Sequence, residues 1–258
     1  MVEHHKAEAR LATTRHTGNV TAWDLVRRGT WQFHKIVRES HHAARKLFRQ
    51  ACSVDPDLPE AHIWLARVSA GLVAYEWSDD PTADIKEGME AAARAIYLDG
   101  KDPYAHYAFA IASAYGRAPR QAVLAAEKAV ALNPSFALGH LVLGMSRLFD
   151  GRALDAISPL EHALSLNPND PQNFVWYNLL ALAQFFAGQS KESIGSANEA
   201  LKVRPDWRPT YETLAACHAA AGSFDEAKRA ITRMDVLKKP EGDALAPMRE
   251  LTAIMREV

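Results

Sequence analysis

Small and apolar residues return along this chain in blocks of fixed length, separated by polar turns. The blocks end in similar strings: Ala129-Val130-Ala131-Leu132-Asn133-Pro134, Ala163-Leu164-Ser165-Leu166-Asn167-Pro168 and Ala200-Leu201-Lys202-Val203-Arg204-Pro205. Their prolines are 34 and 37 residues apart. Upstream, Ala51-Cys52-Ser53-Val54-Asp55-Pro56 and Ala95-Ile96-Tyr97-Leu98-Asp99-Gly100 match the same string. A small residue recurs earlier in each block, at Ala66, Ala110, Gly144, Ala181 and Ala215, and a second small series runs through Ala122, Ala156, Ser193 and Ala227. Strand signals are absent. The pattern predicts an antiparallel pair of helices per block, each of about 14 residues. Small residues let the two helices cross closely, large apolar residues fill the gaps, and proline ends the second helix. Turn signals fall between the helices at Tyr115-Gly116-Arg117, Asp150-Gly151-Arg152, Ala187-Gly188-Gln189 and Ala221-Gly222-Ser223, where glycine supplies a left-handed cap.

These landmarks predict units at 103–136, 137–170, 174–207 and 208–241. The third follows a three-residue insertion, Pro171-Gln172-Asn173, and the fourth is weakened because Met234 replaces the usual alanine. Residues 58–102 read as a long unit with about ten extra residues in its turn. Residues 22–57 read as a degenerate first unit with a turn around Val37–His41. The whole is predicted to be an all-α, right-handed superhelical solenoid of about six helix pairs over 19–241, with an N-terminal arm or short helix at 1–18 and a capping helix at 242–258.

A 34-residue period with these small and proline landmarks resembles the tetratricopeptide repeat. The resemblance implies protein–protein interaction, with the first helix of each unit lining a concave groove through its second, fifth, ninth, twelfth and thirteenth places. In the unit 103–136 these are Tyr104, Tyr107, Ile111, Ala114 and Tyr115; in 137–170 they are Leu138, Leu141, Met145, Leu148 and Phe149. In 174–207 they are Val175, Asn178, Leu182, Phe185 and Phe186, and in 208–241 the apolar character fades to Thr210, Glu212, Ala216, Ala219 and Ala220. The middle of the groove is therefore apolar and aromatic. The Lys, Asn and Arg pattern with which chaperone-binding members clamp a C-terminal carboxylate is not present. Such a face either takes an amphipathic helix or is buried as core by superhelical closure. The long turn Tyr75-Glu76-Trp77-Ser78-Asp79-Asp80-Pro81 is a second candidate for recognition through Trp77, Asp79 and Asp80, against a structural role in packing Trp77 and starting the next helix.

Three short segments resemble the repeat regions that follow the catalytic part of bacterial class III adenylate and guanylate cyclases, and of related multidomain transcriptional regulators. They are Asn19-Val20-Thr21-Ala22-Trp23-Asp24-Leu25-Val26-Arg27-Arg28-Gly29, Trp77-Ser78-Asp79-Asp80-Pro81 and Arg204-Pro205-Asp206-Trp207. About twenty residues upstream cannot fold as a catalytic domain, and the paired metal-binding aspartates of a cyclase core are not identifiable. This resemblance implies a regulatory or sensory module, whose alternative role is self-association as a dimerising segment.

Composition narrows the choice of function. The chain has 258 residues, 48 % hydrophobic and 24 % charged, with a net charge of −1. That argues against a disordered chain and a globally basic nucleic-acid binder. No apolar run reaches the length of a membrane span, and the start, Met1-Val2-Glu3-His4-His5-Lys6, has no apolar signal core. Two cysteines, Cys52 and Cys217, fit a reducing, cytoplasmic setting. Charge is uneven, however: ten Lys/Arg against four acids lie in residues 1–50, with six of the eleven histidines. This is either a basic face for an acidic partner or a surface that pairs with the acidic remainder.

Catalytic and metal chemistry find little support. No His-Glu-x-x-His, paired Cys-x-x-Cys, phosphate loop or Gly-x-Ser-x-Gly elbow occurs. His34, His41 and His42 are close in sequence but adjacent histidines leave a helix in different directions. His62, His106 and His140 take the fourth place of successive units, continued by Tyr177 and Tyr211, as packing residues do. Cys217 precedes His218, yet helical neighbours diverge by about 100° and do not pair as nucleophile and base. The sequence thus points to a non-enzymatic interaction scaffold that needs no cofactor or metal, with a protein or peptide partner, no membrane and no nucleic acid.

Overall fold

The computed structural model describes residues 20–75 and 77–237; the expected N-terminal arm and C-terminal capping helix lie outside them. The described residues form twelve α-helices and no strand. They pair as α1 (Val20–Phe33) with α2 (Arg38–Val54), α3 (Pro59–Ala74) with α4 (Pro81–Leu98), and α5 (Pro103–Tyr115) with α6 (Pro119–Leu132). Then come α7 (Ala137–Phe149) with α8 (Ala153–Leu166), α9 (Asn173–Phe186) with α10 (Ser190–Val203), and α11 (Arg208–Ala220) with α12 (Phe224–Val236).

Each helix packs most heavily on its own partner, and each second helix packs next on the first helix of the following unit. First helices also touch one another, α3 with α5 and α5 with α7, whereas no two second helices are packed comparably. The first helices therefore make the inner layer of a curved stack, and the second helices the outer layer. This is an all-α helical-repeat solenoid, as the period required.

Small residues set the crossings. Ala66, Ala110, Ala181, Ala122 and Ala156 are fully buried. Gly144 takes the same place in its unit, and a Cβ there would lie 2.5 Å from Leu160 Cγ and 3.0 Å from the Ala156 carbonyl oxygen, so nothing larger than hydrogen fits. The turns after the first helices hold Gly151, Gly188 and Gly222 at φ 77°, 78° and 73°. The turn Tyr115-Gly116-Arg117 departs from expectation. Arg117 takes the left-handed conformation, while Gly116 stays at φ −79° and is required for space instead, since a Cβ there would lie 2.8 Å from Ile85 Cγ2.

Two unit details are corrected. The ten extra residues of 58–102 do not sit in its turn alone: α3 has 16 residues where α5 has 13, and α4 has 18 where α6 has 14. Only the balance lengthens the turn, which runs from Tyr75 to Asp80. The first unit turns at residues 34–37, and His41 lies inside α2.

One hydrogen bond recurs at unit boundaries. Nε2 of His62, His106 and His140 lies 2.9, 3.0 and 2.8 Å from the carbonyl oxygens of Pro56, Gly100 and Pro134, six residues back, and as Nε2–H each ring donates to them. The Tyr211 hydroxyl donates to the Pro205 carbonyl at 2.8 Å. These side chains staple the turn between units, which explains why a large polar-tipped ring fills the fourth place.

Candidate functional site

The inner layer carries the candidate groove. Tyr107, Met145 and Asn178 are buried in it, and Asn178 accepts a hydrogen bond from the Thr213 hydroxyl at 3.0 Å. Tyr104, Tyr115, Leu141, Phe149, Leu182, Phe185 and Phe186 are half-buried. Apart from Phe185, these seven also pack on the main hydrophobic cluster with one side while keeping another side accessible. Tyr115 meets Phe149 edge-on at 6.1 Å between ring centroids, linking α5 to α7, and Phe185 meets Phe186 at 5.2 Å. The predicted positions thus divide into a buried base and an accessible aromatic rim on the same face.

Tyrosines concentrate toward the second unit. Burial pushes the Tyr75 hydroxyl up to about 12, the proximity of Tyr107 adds to this, and the positive charges of Arg204 and Arg67 pull it partly back. The Tyr115 hydroxyl is raised further, first by burial and then by Tyr75 and Tyr107. Tyr75 and Tyr115 are therefore neutral hydrogen-bond donors at physiological pH.

Groove positions counted only from residue 103 onward miss Arg67, and carrying the register back one unit finds it. Arg67 lies 44 residues before Ile111 and continues upstream the series Ile111, Met145 and Leu182, which take the ninth place of the next three units. Its guanidinium carbon lies 4.1 Å from the centroid of Trp64 on its own helix, 5.2 Å from Phe33 on α1 and 5.4 Å from Tyr107 on α5.

The long turn of the second unit is tied to α2. Trp77 is buried and packs on His41 at 4.9 Å. Asp80 caps α4 by accepting from the Ala83 N–H at 3.0 Å. Asp79 pairs with Arg38 at 3.1 Å, and Arg49 forms a two-bond contact with Glu87 at 2.5 and 3.0 Å. Arg45 pairs with Asp84, which also accepts from the Ser78 hydroxyl at 2.7 Å. Part of the basic excess in residues 1–50 is thus spent on acids of α4 and the turn before it, the second of the two readings of that charge. His41 is fully buried, and neither ring nitrogen has a hydrogen-bond partner.

Among the described residues there is no group of three or more His, Cys, Asp or Glu that could hold a metal ion. Cys217 lies 2.8 Å from the Ser193 hydroxyl, with its thiol pushed up by burial, and burial likewise raises Cys52 to about 12. Neither is an activated nucleophile. No helix among the described residues is long and apolar enough to cross a membrane.

The layering and the inter-unit register place the chain beside known helical-repeat structures. A thermophilic TPR protein from Thermus thermophilus superposes over 83 % of this chain and 100 % of its own, with a TM-score of 0.60 and 19 % identity. The fold is that of the tetratricopeptide repeat. Human IFIT1, solved as a dimer with m7Gppp-AAAA, matches 86 % of this chain with a TM-score of 0.70 and 15 % identity, over 51 % of its length. The APC/C hetero-tetramer Cut9–Hcn1 gives 0.71 and 15 % identity over 90 % of this chain and 42 % of the matched one. At these identities the tetratricopeptide-repeat likeness is one of fold. No family model matches the sequence, and no curated protein matches it. The resemblance to cyclase-linked repeat regions finds no counterpart among these neighbours.

Proposed function

We propose that this tetratricopeptide-repeat solenoid is a non-catalytic interaction scaffold, and that the concave face of its third to fifth units receives a peptide or amphipathic helix. The observation that carries the reading is the rim of half-buried apolar and aromatic side chains, Tyr104, Tyr115, Leu141, Phe149, Leu182, Phe185 and Phe186, on one face above a closed core. A rigid aromatic rim over a packed base is the arrangement from which apolar anchors of a helical ligand gain most. Cut9 was solved in a complex with Hcn1, which agrees with a protein partner.

The test is selection of helix-forming 18-residue peptides from a phage-displayed library on the immobilised protein, followed by binding to Phe149→Asp and Phe185→Asp variants. Peptides that bind the wild type and lose at least about tenfold in affinity on both variants, with helicity retained by circular dichroism, support the reading. If both variants unfold, these rings are core and the groove is not a docking surface.

A second reading, self-association, draws on α12, which leaves Phe224, Ile231 and Val236 exposed. Light scattering after size exclusion across a concentration series separates the two. A concentration-independent dimer favours self-association, and a monomer removes it.

A further inference from the structure

Five arginines among the described residues are half-buried: Arg45, Arg67, Arg94, Arg147 and Arg208. Four have a carboxylate. Arg45 meets Asp84, Arg94 meets Asp57 at 2.6 Å, Arg147 meets Glu127 at 3.2 Å and Arg208 meets Glu212 at 2.6 Å. Arg67 has none, and no acceptor of the described residues meets its N–H groups. What surrounds it is aromatic: Trp64, Phe33 and Tyr107, drawn from three consecutive first helices. It is therefore on the face those helices share, the concave one.

The chemistry of a stacked guanidinium makes this specific. Three rings lie 4.1 to 5.4 Å from the guanidinium carbon of Arg67, where the positive charge is attracted to their π clouds. Its five N–H donors lie in one plane, in the fork that fits a carboxylate. The side chain is half-buried, and no carboxylate of the described residues lies against it. The tyrosine hydroxyls of Tyr75 and Tyr107 add donors nearby, and Arg204, the other cation whose charge reaches Tyr75, is already paired with Asp206 at 3.5 Å. The site offers donors and one uncompensated cation.

We infer that Arg67 is the anchor for a single carboxylate, a Glu or Asp side chain, of the peptide that docks on the concave face. The inference rests on the groove reading above and adds the partner's charge. A lone cation within an apolar, aromatic face fits an amphipathic peptide with one acid beside its apolar stripe. A nucleic acid, with a charge on every phosphate, requires several cations.

The test uses the phage library with its polar positions free to be Glu, Gln, Lys, Arg or Ser. Peptides selected on the wild type are expected to carry Glu at one fixed offset from the apolar stripe. A synthetic Glu peptide should bind about tenfold tighter than its Gln counterpart by fluorescence anisotropy, the scale of one charge-assisted fork. On Arg67→Gln the Glu peptide should fall to the level of the Gln peptide, whose own affinity changes less than about twofold. Arg67→Lys, which keeps charge but loses the planar fork, should recover part of the preference.

Peptides that bind without any Glu preference overturn the inference and leave the groove reading intact. A failure to select any peptide sensitive to Phe149→Asp overturns both. A drop in thermal stability of Arg67→Gln and Arg67→Lys with unchanged peptide preference makes Arg67 a structural stack and overturns the inference. Displacement of the Glu peptide by a 5′-phosphorylated oligoadenylate 12-mer, but not by the same concentration of a Gln peptide, overturns the peptide assignment in favour of nucleic acid.

Discussion

Arg147 donates through Nη1 to the backbone carbonyl of Asp155 at 3.2 Å. That carbonyl is the one that Pro159, inside α8, leaves without its helical N–H partner. An arginine of the first helix thus completes the ladder of the second, and its Nη2 also reaches Glu127 at 3.2 Å on α6. Arg147→Met should cost about 1–2 kcal/mol by urea denaturation, since it leaves a carbonyl and a carboxylate without their donor. In a Pro159→Ala background, where the backbone supplies its own N–H, the cost should shrink by at least about 0.5 kcal/mol, the smallest coupling such a cycle resolves. Equal costs in both backgrounds would show that the Asp155 contact contributes nothing.

His41 gives the protein an acid limit. Burial lowers its pKa to about 4, and the neighbouring charges of His42 and His34 push the same way. The unfolded chain binds a proton near 6.5 while the folded protein refuses it until about 4. Between these values the unfolded state carries the extra proton, so stability is fully present above about pH 6.5 and is lost as the pH falls toward 4. The loss should be about 2–3 kcal/mol. His41→Phe, which keeps a ring against Phe33 at 4.9 Å and Trp77 at 4.9 Å, should remove most of this slope without a loss at pH 7. Thermal melts from pH 7.5 to 4.5 on both proteins check it. An unchanged slope in the variant would assign the acid sensitivity elsewhere.

Two glycines inside helices should respond oppositely to alanine. At Gly144 the new methyl would press on Leu160 and the Ala156 carbonyl. Overpacking of about 1–3 kcal/mol exceeds the roughly 1 kcal/mol gained in helix propensity, so Gly144→Ala should be destabilising. At Gly195, within α10, a Cβ meets nothing within 4 Å. Gly195→Ala should therefore stabilise by about 0.5–1 kcal/mol. Denaturant midpoints of the two variants decide the matter by their sign.

The ionic contacts between α2 and the segment beginning at Asp79 should rank by burial. Arg45 and Asp84 keep 16 % and 7 % of their side-chain exposure, against 47 % and 76 % for Arg38 and Asp79. Asp84→Ala should cost about 3 kcal/mol because it strands the Arg45 charge. Asp79→Ala should cost less than about 0.5 kcal/mol. Comparable losses at both sites would contradict this ordering.

The repeat was legible because the crossing of two helices admits only small side chains. Ala66, Ala110, Gly144 and Ala181 therefore return at the period of the structure. The same register set out the inner-face positions but not their whole division: second and thirteenth places are half-buried in all three units from 103 to 207, whereas at the fifth Tyr107 is buried and Leu141 is not, and at the ninth Met145 is buried and Leu182 is not. The extra residues of 58–102 were counted correctly but assigned to the turn. Sequence alone cannot tell an inserted loop from helices that run on at both ends. The pairing of Arg38, Arg45 and Arg49 with the acids at Asp79, Asp84 and Glu87 joins residues far apart in sequence, and only the stacking of units brings them together.

The stack is unevenly coupled, and this has a mechanical consequence. Where α3, α5 and α7 lean on one another, α7 and α9 barely touch, at the joint that follows Pro171-Gln172-Asn173. In a chain of elements each held by its neighbours alone, tension is shared equally but strain is not. A pull on the two ends of this spring opens first, on the inner side, the coil whose first helices touch least. That coil adjoins Phe149 and Phe185, so the width of the aromatic rim is the dimension of the molecule that a load would change most.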